Sequence, residues 1–466
     1  MRFTLSVTCV AALVILSGCT VGPKYARPQV PGSPAFRGPD NAATSSDPQG
    51  SIGDQQWSQI FKEPELQELI KQALASNYDL RIAAQRVLEQ QAQVKITRAQ
   101  QFPTISVGGT GAGAEIPSIA GTSISNPLVL GSFNLSAAWT PDFWGLYRRQ
   151  TEAARDTLLA QQWAQKAVRM TLVEQVASTY FSVRALDSQL EIAQQTVKAR
   201  EDSVDLTRRL ADGGAAPLSD LRQAEQLLYT ATSEIPQLQE QIQQDENALK
   251  LLLGDLPGPV THTDPAALAP IPVALPVGLP SQLLERRPDI QQAEAQLMSA
   301  NANIGVARAQ FFPQLTISAS GGLGGDSLAS IFKTGSETVY GIGTLTQAIF
   351  AGGKLRGQLN LSEETKKEMV LNYQKTIVTA FRDVSNALIA ASKSRGYREQ
   401  QEKLVEAAQD ATRLARLRYE AGATAYLEVL TTDTNLFTAQ LSLAIAKQNE
   451  ALSLVQLYSA LGGGWQ

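Results

Sequence analysis

Between Glu65 and Arg98, Leu, Ile, Ala and Val recur among Gln, Glu and Arg at helical spacing, with a break near Asn77. Phe102-Pro103 closes this run, because a proline cannot continue the hydrogen-bond ladder. The period then falls from about 3.6 residues to two. From Phe133 to Phe143 one face reads Phe133, Leu135, Ala137, Trp139, Pro141 and Phe143, and the other Asn134, Ser136, Ala138, Thr140 and Asp142. Leu315 to Leu323 alternates as cleanly, while Ile105–Ala114 and Val339–Phe350 are Gly- or Thr-rich strands with weaker alternation. Segments of about ten residues, apolar on one side and small or polar on the other, match outer-membrane barrel strands with Phe133, Leu135, Trp139 and Phe143 facing lipid, although strands of a soluble sandwich alternate in the same way. Very long helices follow. Tyr147 to Ala211 holds no Pro and no Gly, which makes a rod of roughly 95 Å. Val176, Val183, Leu190, Val197 and Val204 fall seven apart. In the last helix Leu427, Leu430, Thr434, Phe437, Leu441, Ala444, Gln448, Ala451, Val455 and Tyr458 keep a 3-4 rhythm, the pattern of coiled-coil packing.

The chain repeats itself. Arg98-Ala-Gln-Gln-Phe102-Pro103 recurs as Arg308-Ala-Gln-Phe-Phe312-Pro313, and Arg209-Leu-Ala-Asp-Gly213 as Arg418-Tyr-Glu-Ala-Gly422, at nearly constant spacing. Between the copies, seven prolines from Pro257 to Pro280 forbid a helix and mark a linker. His262 lies inside it as a solvated residue. The organisation read from this is a tether over 19–58, a first repeat over 59–253 with strands near 103–117 and 130–144, a linker over 254–280, and a second repeat over 281–466 with strands near 313–325 and 338–351. Gly321–Gly325 lacks the Lys-Ser/Thr of a phosphate loop and reads as an extracellular turn. Glu363-Glu364 and Lys366-Lys367 read as a solvated helix face.

The start of the chain carries an address. Arg2 is followed by an apolar stretch to Leu16, too short for a membrane span, and then by Ser17-Gly18-Cys19. Small residues before a cysteine resemble a bacterial lipoprotein signal, which removes residues 1–18 and acylates Cys19. Cys9 leaves with the signal, so no disulfide can form. Thr20 stands where Asp is associated with inner-membrane retention, which directs the acyl chains to the outer membrane; several chains anchor stably where one does not. The expectation is a palmitate-bearing protein of the cell outer membrane, lipid-anchored, extending into the periplasm.

Composition removes other classes. Of 466 residues 43 % are hydrophobic and 18 % charged, too apolar for a disordered chain and too polar for a polytopic helical membrane protein. A net charge of −4 offers no nucleic-acid footprint. A single His and two Cys cannot assemble a zinc site or a His-based triad. No Walker loop, Rossmann fingerprint or nucleophile elbow is present, so an enzyme is not expected, nor any cofactor beyond the covalent lipid on Cys19.

Four strands cannot close a barrel, and an open edge is not tolerated in lipid. A dimer would give eight strands and a filled interior; a trimer gives twelve and a lumen. Three copies of the paired long helices would continue that lumen as a tunnel, and the family resemblance carried by the segments below implies this fold class: a mixed α/β membrane protein, a trimeric 12-stranded β-barrel continued by a 12-helix periplasmic α-barrel, built from two repeats per chain.

Several segments carry a family resemblance along essentially the whole chain. They are Cys19-Thr-Val-Gly-Pro-Lys-Tyr-Ala-Arg-Pro28, Trp57 with Phe61-Lys-Glu-Pro-Glu-Leu66, Asn77-Tyr-Asp-Leu80, Arg286-Arg-Pro-Asp-Ile290, Ala309-Gln-Phe-Phe-Pro313, Ile349-Phe-Ala-Gly-Gly353 and Leu457-Tyr-Ser-Ala-Leu-Gly-Gly-Gly-Trp465. In this order they resemble the outer-membrane factor (TolC-like) family, in its OprM-like/NodT lipoprotein branch. The resemblance implies the outer-membrane exit duct of a tripartite RND-type efflux pump, passively exporting drugs or other small toxic compounds. Its implied partners are two further copies, a periplasmic adaptor protein, an inner-membrane RND transporter and outer-membrane lipid. A type I protein-secretion duct and a non-channel coiled-coil periplasmic lipoprotein stay open as alternatives. The resemblance also implies a gate at the narrow periplasmic end. Gly213, Gly214 and Gly422 mark the helix turns there, available for adaptor contact. Asp220, Arg418 and Tyr419 lie at similar height, where the family closes, with Arg418 and Tyr419 expected to bond Asp220. The family's inner acidic ring falls on Thr431 here, with Glu428 and Asp433 as nearby substitutes.

Overall fold

A computed structural model of the chain describes residues 20–29, 36–38, 50–114, 128–261, 280–325, 330 and 333–465. Cys9, Cys19, His262 and most of the 254–280 linker lie outside them. The element order is α1 (Trp57–Ile60), α2 (Pro64–Ser76), α3 (Tyr78–Ala99), β1 (Thr104–Ala114), β2 (Leu128–Trp139), α4 (Leu146–Asp212) and α5 (Leu218–Leu252). Then come α6 (Pro280–Arg286), α7 (Pro288–Ala309), β3 (Gln314–Gly325), β4 (Glu337–Thr346), α8 (Lys354–Glu420) and α9 (Tyr426–Ala460). The two long helices have 67 residues each and their shorter partners 35 each. Leu146 and Lys354 open the long helices, Asp212 and Glu420 close them, and Gly214 and Gly422 follow at the same displacement with positive φ. Gly422 is therefore the counterpart of Gly214, one position later than the match to Gly213 suggests.

By contact the chain forms two units. The first comprises Met1–Gln29, Arg86–Gln161 and Gln292–Tyr373. It contains a four-stranded antiparallel sheet in the order β1-β2-β3-β4, in which, among the described residues, the outer edges of β1 and β4 are unpaired. Two strands end earlier than their sequence suggests. β2 stops at Trp139, before Thr140-Pro141, because Pro141 has no N–H for the ladder. Phe143 consequently lies in a turn, its N–H donating to the Pro141 carbonyl, and not on a strand face. β4 stops at Thr346, leaving Ile349 and Phe350 almost fully exposed in coil. Gly321–Gly325 is not a turn: these residues are the end of β3, and Gly322 approaches the Phe133 carbonyl and Asn134 so closely that a Cβ would not fit.

The second unit comprises Val30–Gln85, Gln162–Gln291 and Gln374–Gln466. Its main core is built by amphipathic spacing: Leu66, Ile70 and Ala73 of α2 share one face and pack with Trp57, Phe61, Val173, Val176, Tyr180, Leu249, Val455 and Tyr458. The heptad positions behave as their pattern requires, with Val176, Val183 and Val204 buried, although Leu427 and Thr434 of α9 stay exposed. Asn77 joins α2 to α3, accepting the Leu80 N–H and donating to the Leu252 carbonyl. The Arg286-Arg287 pair ties chain ends together. Arg286 bonds Asp54 at 2.7 Å, and Arg287 reaches Asp289 at 2.7 Å, Asp383 at 3.5 Å and the Ala460 carbonyl at 3.1 Å. Gly463 leaves room for the Tyr458 ring, whose hydroxyl donates to the Gln55 carbonyl.

Leu66 is fully buried in this core. Leu66→Ala should cost about 2–5 kcal/mol, whereas Leu66→Met, which keeps the volume, should cost under about 1.5 kcal/mol. Loss of helical circular dichroism on heating the two purified variants checks the difference.

Candidate channel wall and helix-turn gate

Opposed residues in an antiparallel ladder share a face, so the observed register sorts the sheet. Val107, Leu135 and Gly321 stand in line with Val339, and Trp139 opposes Ile317. With Ile105, Phe133, Leu323 and Leu345 they make one apolar face, whose aliphatic and aromatic side chains are largely exposed in the single protomer. The other face carries hydroxyls. Ser106 and Ser136 share a hydrogen bond of 2.8 Å, Thr110 and Ser132 one of 3.0 Å, and Ser318 and Ser320 continue the row on β3. Leu135 and Ser136 thus face opposite sides. Tyr340 and Ile342 on edge strand β4 depart from the pattern by lying on the hydroxyl face. No described helix is long and apolar enough to cross a membrane. The sheet's apolar face is the feature suited to lipid, and its hydroxyl face to water.

The composition of residues 19–58 predicts an extended tether, but residues 20–29 are docked in the first unit. The Val21 N–H donates to the Trp144 carbonyl and Arg149 Nε to the Val21 carbonyl, both at 3.2 Å. Gly22 packs against Gly305 with no space for a side chain. Glu294 pins the strap, accepting Arg27 through Nε at 2.7 Å and Nη2 at 2.6 Å and the Tyr25 hydroxyl at 3.0 Å. Burial first, then the Glu294 charge, pushes the Tyr25 phenol well above its ordinary range. Thr20 rests against Gly145, which sits between the end of β2 and the start of α4.

In the second unit, Gly214 and Gly422 take φ of 73° and 69° at the turns ending α4 and α8, which suits glycine. The Ala215 and Ala423 N–H groups close these turns on the carbonyls of Leu210 and Arg418. Gly213 is an ordinary cap residue. Arg418 does not reach Asp220 within the protomer; it bonds Glu428 at 2.7 Å, and Glu428 also accepts the Thr424 hydroxyl. Asp220 takes a hydrogen bond from the Ser219 hydroxyl. The Tyr419 and Tyr426 rings meet at a tilt of 50° with centroids 5.1 Å apart, and burial and the charge of Asp220 raise the pKa of the Tyr419 phenol. Of the two carboxylates considered for an acidic ring, Glu428 is neutralised by Arg418, and Asp433 by two arginines: Arg200 at 3.0 Å and Arg416 at 3.1 Å. Thr431 is exposed, its hydroxyl turned back to the Leu427 carbonyl. The sequence carries no signal for the Arg200–Asp433 contact, since one arginine in a 67-residue helix has no motif around it. Among the described residues no group of three or more His, Cys, Asp or Glu side chains could hold a metal ion. Glu363 and Glu364 pair with Arg308 and Lys367 at the surface.

The family model described as outer membrane efflux protein matches residues 69–255 and 279–463. TtgC, a probable efflux pump outer membrane protein of Pseudomonas putida, is 37 % identical over 459 residues, covering 97 % of this chain and 94 % of that protein. CusC, a cation efflux system protein of Escherichia coli, is 34 % identical over 462 residues, covering 98 % of each. Among solved structures, a membrane protein from Pseudomonas aeruginosa superposes with a TM-score of 0.86 at 31 % identity, over 96 % of this chain and 98 % of that one.

The two sheet faces make opposite demands on a charge. Leu135→Arg places a guanidinium on the apolar face, at a cost of roughly 2–4 kcal/mol near mid-membrane, while Ser136→Arg places it on the hydroxyl face at little cost. Membrane-inserted, heat-modifiable protein should fall sharply for the first variant and stay near wild type for the second. Equal insertion would reject the assigned faces.

Proposed function

The chain belongs to the outer membrane efflux protein family, and on that premise we propose that it is the exit duct of a tripartite RND-type pump for drugs and other small toxic compounds. Members of the family are outer-membrane transport ducts without enzymatic activity, assembled as trimers whose β-barrel continues as a helical barrel. The observation that carries the reading in this chain is the four-stranded sheet, apolar on one face, hydroxyl-lined on the other and unpaired at both edges. Such a sheet serves a membrane only as part of a closed wall around water. A coiled-coil lipoprotein without a pore has no use for it.

The duct supplies no energy of its own. An inner-membrane RND transporter drives export, and a periplasmic adaptor bridges it to the turns at Gly213-Gly214 and Gly422. Cys19 carries the acyl chains, and the docked strap supports this: Thr20, held at the foot of β2, sets the lipid beside the end of the sheet. The turns are also where the duct closes. Arg418, Tyr419, Asp220, Glu428 and Asp433 gather on the helices that meet them, and polar contacts multiplied by threefold symmetry hold that end shut.

Deleting the gene should sensitise the host to small toxic compounds, and the purified trimer should conduct ions in a planar lipid bilayer. A trimer without conductance would overturn the duct. Labelling with radioactive palmitate should mark the wild type and leave Cys19→Ser unmarked; equal label would remove the lipid anchor. At the gate, Arg418→Ala frees Glu428 and should raise single-channel conductance, since a ring of unpaired carboxylates also favours cations. Wild-type conductance and ion selectivity in Arg418→Ala would leave this pair as surface charges.

A further inference from the structure

Two side chains contradict the pattern of the sheet. Tyr340 and Ile342 stand on the hydroxyl face of edge strand β4, 53 % and 52 % exposed. Around them that face is built of small groups: Ser320 and Ser318 oppose them on β3, and Ser136 and Ala138 follow on β2. It is also uncharged. The one charged residue in the four strands, Glu337, opposes Leu323 on the apolar face.

The neighbouring copy decides what lies on the other side of β4. The described strands overlap completely when Thr104 of one copy faces Thr346 of the next. That register sets Ser106 opposite Thr344, Gly108 opposite Ile342 and Thr110 opposite Tyr340. On the apolar face it sets Val107 opposite Gly343 and Val339 opposite Gly111, large beside small. A slip of one residue would turn the faces over, and a slip of two would leave strand ends unpaired in lipid. The tilt agrees. Thr104, Ala138, Ser318 and Ile342 stand in line within a copy, and Gly108 of the next copy continues the line. The register thus advances by four residues per copy and by twelve around the ring. On twelve strands this gives a tilt of about 35° and a backbone circle roughly 22 Å across, within the range of membrane barrels.

We propose that Tyr340 and Ile342 are the solute-contact residues of the barrel: three copies set six such side chains around the water path, a collar that takes uncharged apolar or aromatic small molecules. Ser, Thr and Gly flank the pair on both sides and are too small to cover it. Apolar groups held open to water within a polar wall mark a place where an apolar partner touches. The uncharged face suits an uncharged solute and gives an ion no counter-charge. Contact through so few side chains is brief, as passage requires, because a solute held tightly does not leave. The proposal rests on the duct reading above and adds the class of solute that the barrel wall favours.

Single-channel recordings in planar bilayers test it, on trimers shown to resist SDS at room temperature. Indole and erythritol are uncharged molecules of similar size, one aromatic and one polar. At equal concentration indole should lower the wild-type current at least about twofold more than erythritol. Tyr340→Ser with Ile342→Ser, which gives β4 the residue common on this face, should respond equally to both. Should that variant fail to assemble, Tyr340→Thr and Ile342→Thr should each shrink the difference. Tyr340→Phe keeps the ring and should keep the wild-type response, as should Thr338→Ser elsewhere on the same face. In membranes, Tyr340→Cys and Ile342→Cys should react with a membrane-impermeant maleimide, and Val339→Cys should not. Equal responses to the two solutes in wild type overturn the collar. So does an undiminished indole response in the assembled serine or threonine variants, or maleimide labelling confined to Val339→Cys. A wild-type trimer silent in the bilayer would remove the duct reading, and the collar with it.

Discussion

Backbone hydrogen bonding in lipid is the constraint on which the rest depends. Every strand N–H and C=O in the hydrocarbon must find a partner, because no water is there to supply one. One copy of this chain satisfies that demand between β1 and β2, β2 and β3, and β3 and β4, and fails it at the outer edges of β1 and β4. The edges are therefore not incidental: they require neighbouring copies, and threefold closure converts a two-faced sheet into a wall with water on one side. The residue pattern agrees at each step. Hydroxyls of Ser106, Ser136, Thr110 and Ser132 bond in cross-strand pairs on one face, and Leu135, Phe133 and Val107 lie on the other, the face suited to lipid.

The helical unit divides its work between two kinds of contact. Apolar clusters supply cohesion, as where Leu66, Ile70, Val176, Tyr180 and Tyr458 fill one core. Buried charges supply position, as where Arg287 links Asp289, Asp383 and the Ala460 carbonyl, or where Glu450 receives both Arg395 and Arg398. Exposed pairs such as Lys367–Glu364 contribute under about 1 kcal/mol and decide little. Arg200 belongs with the buried group.

Much of this was legible in the sequence because periodicity is a backbone property. Alternation in Phe133–Trp139 and the proline-free run after Tyr147 report strand and helix without knowledge of the partner element. Boundaries were less legible: Pro141 ends β2 although the apolar–polar alternation runs on to Phe143, and α5 continues through Pro236 although a proline usually breaks a helix. Contacts distant in sequence were not legible at all. The strap reads as a tether from its Pro, Gly and Ser content, whereas partners more than a hundred positions away dock it: Trp144 and Arg149 at Val21, and Glu294, 267 positions beyond Arg27. Asp433 reads as a bare carboxylate in sequence, and Arg200, 233 positions away, neutralises it.

The central claim is that the free edges of β1 and β4 meet between copies. Disulfide trapping measures this directly, because in the proposed lipidated form Cys9 is removed and the Cys19 thiol is acylated, leaving no other free thiol. A cysteine at Ser106 on β1 is paired in turn with cysteines at Thr338, Tyr340, Ile342, Thr344 and Thr346 on β4, all on the hydroxyl face. At least one pair should cross-link in outer membranes into a ladder of monomer, dimer and trimer, with nothing larger. A ladder that stops at dimer, or no cross-link at any pair in well-inserted protein, would contradict the closed threefold wall.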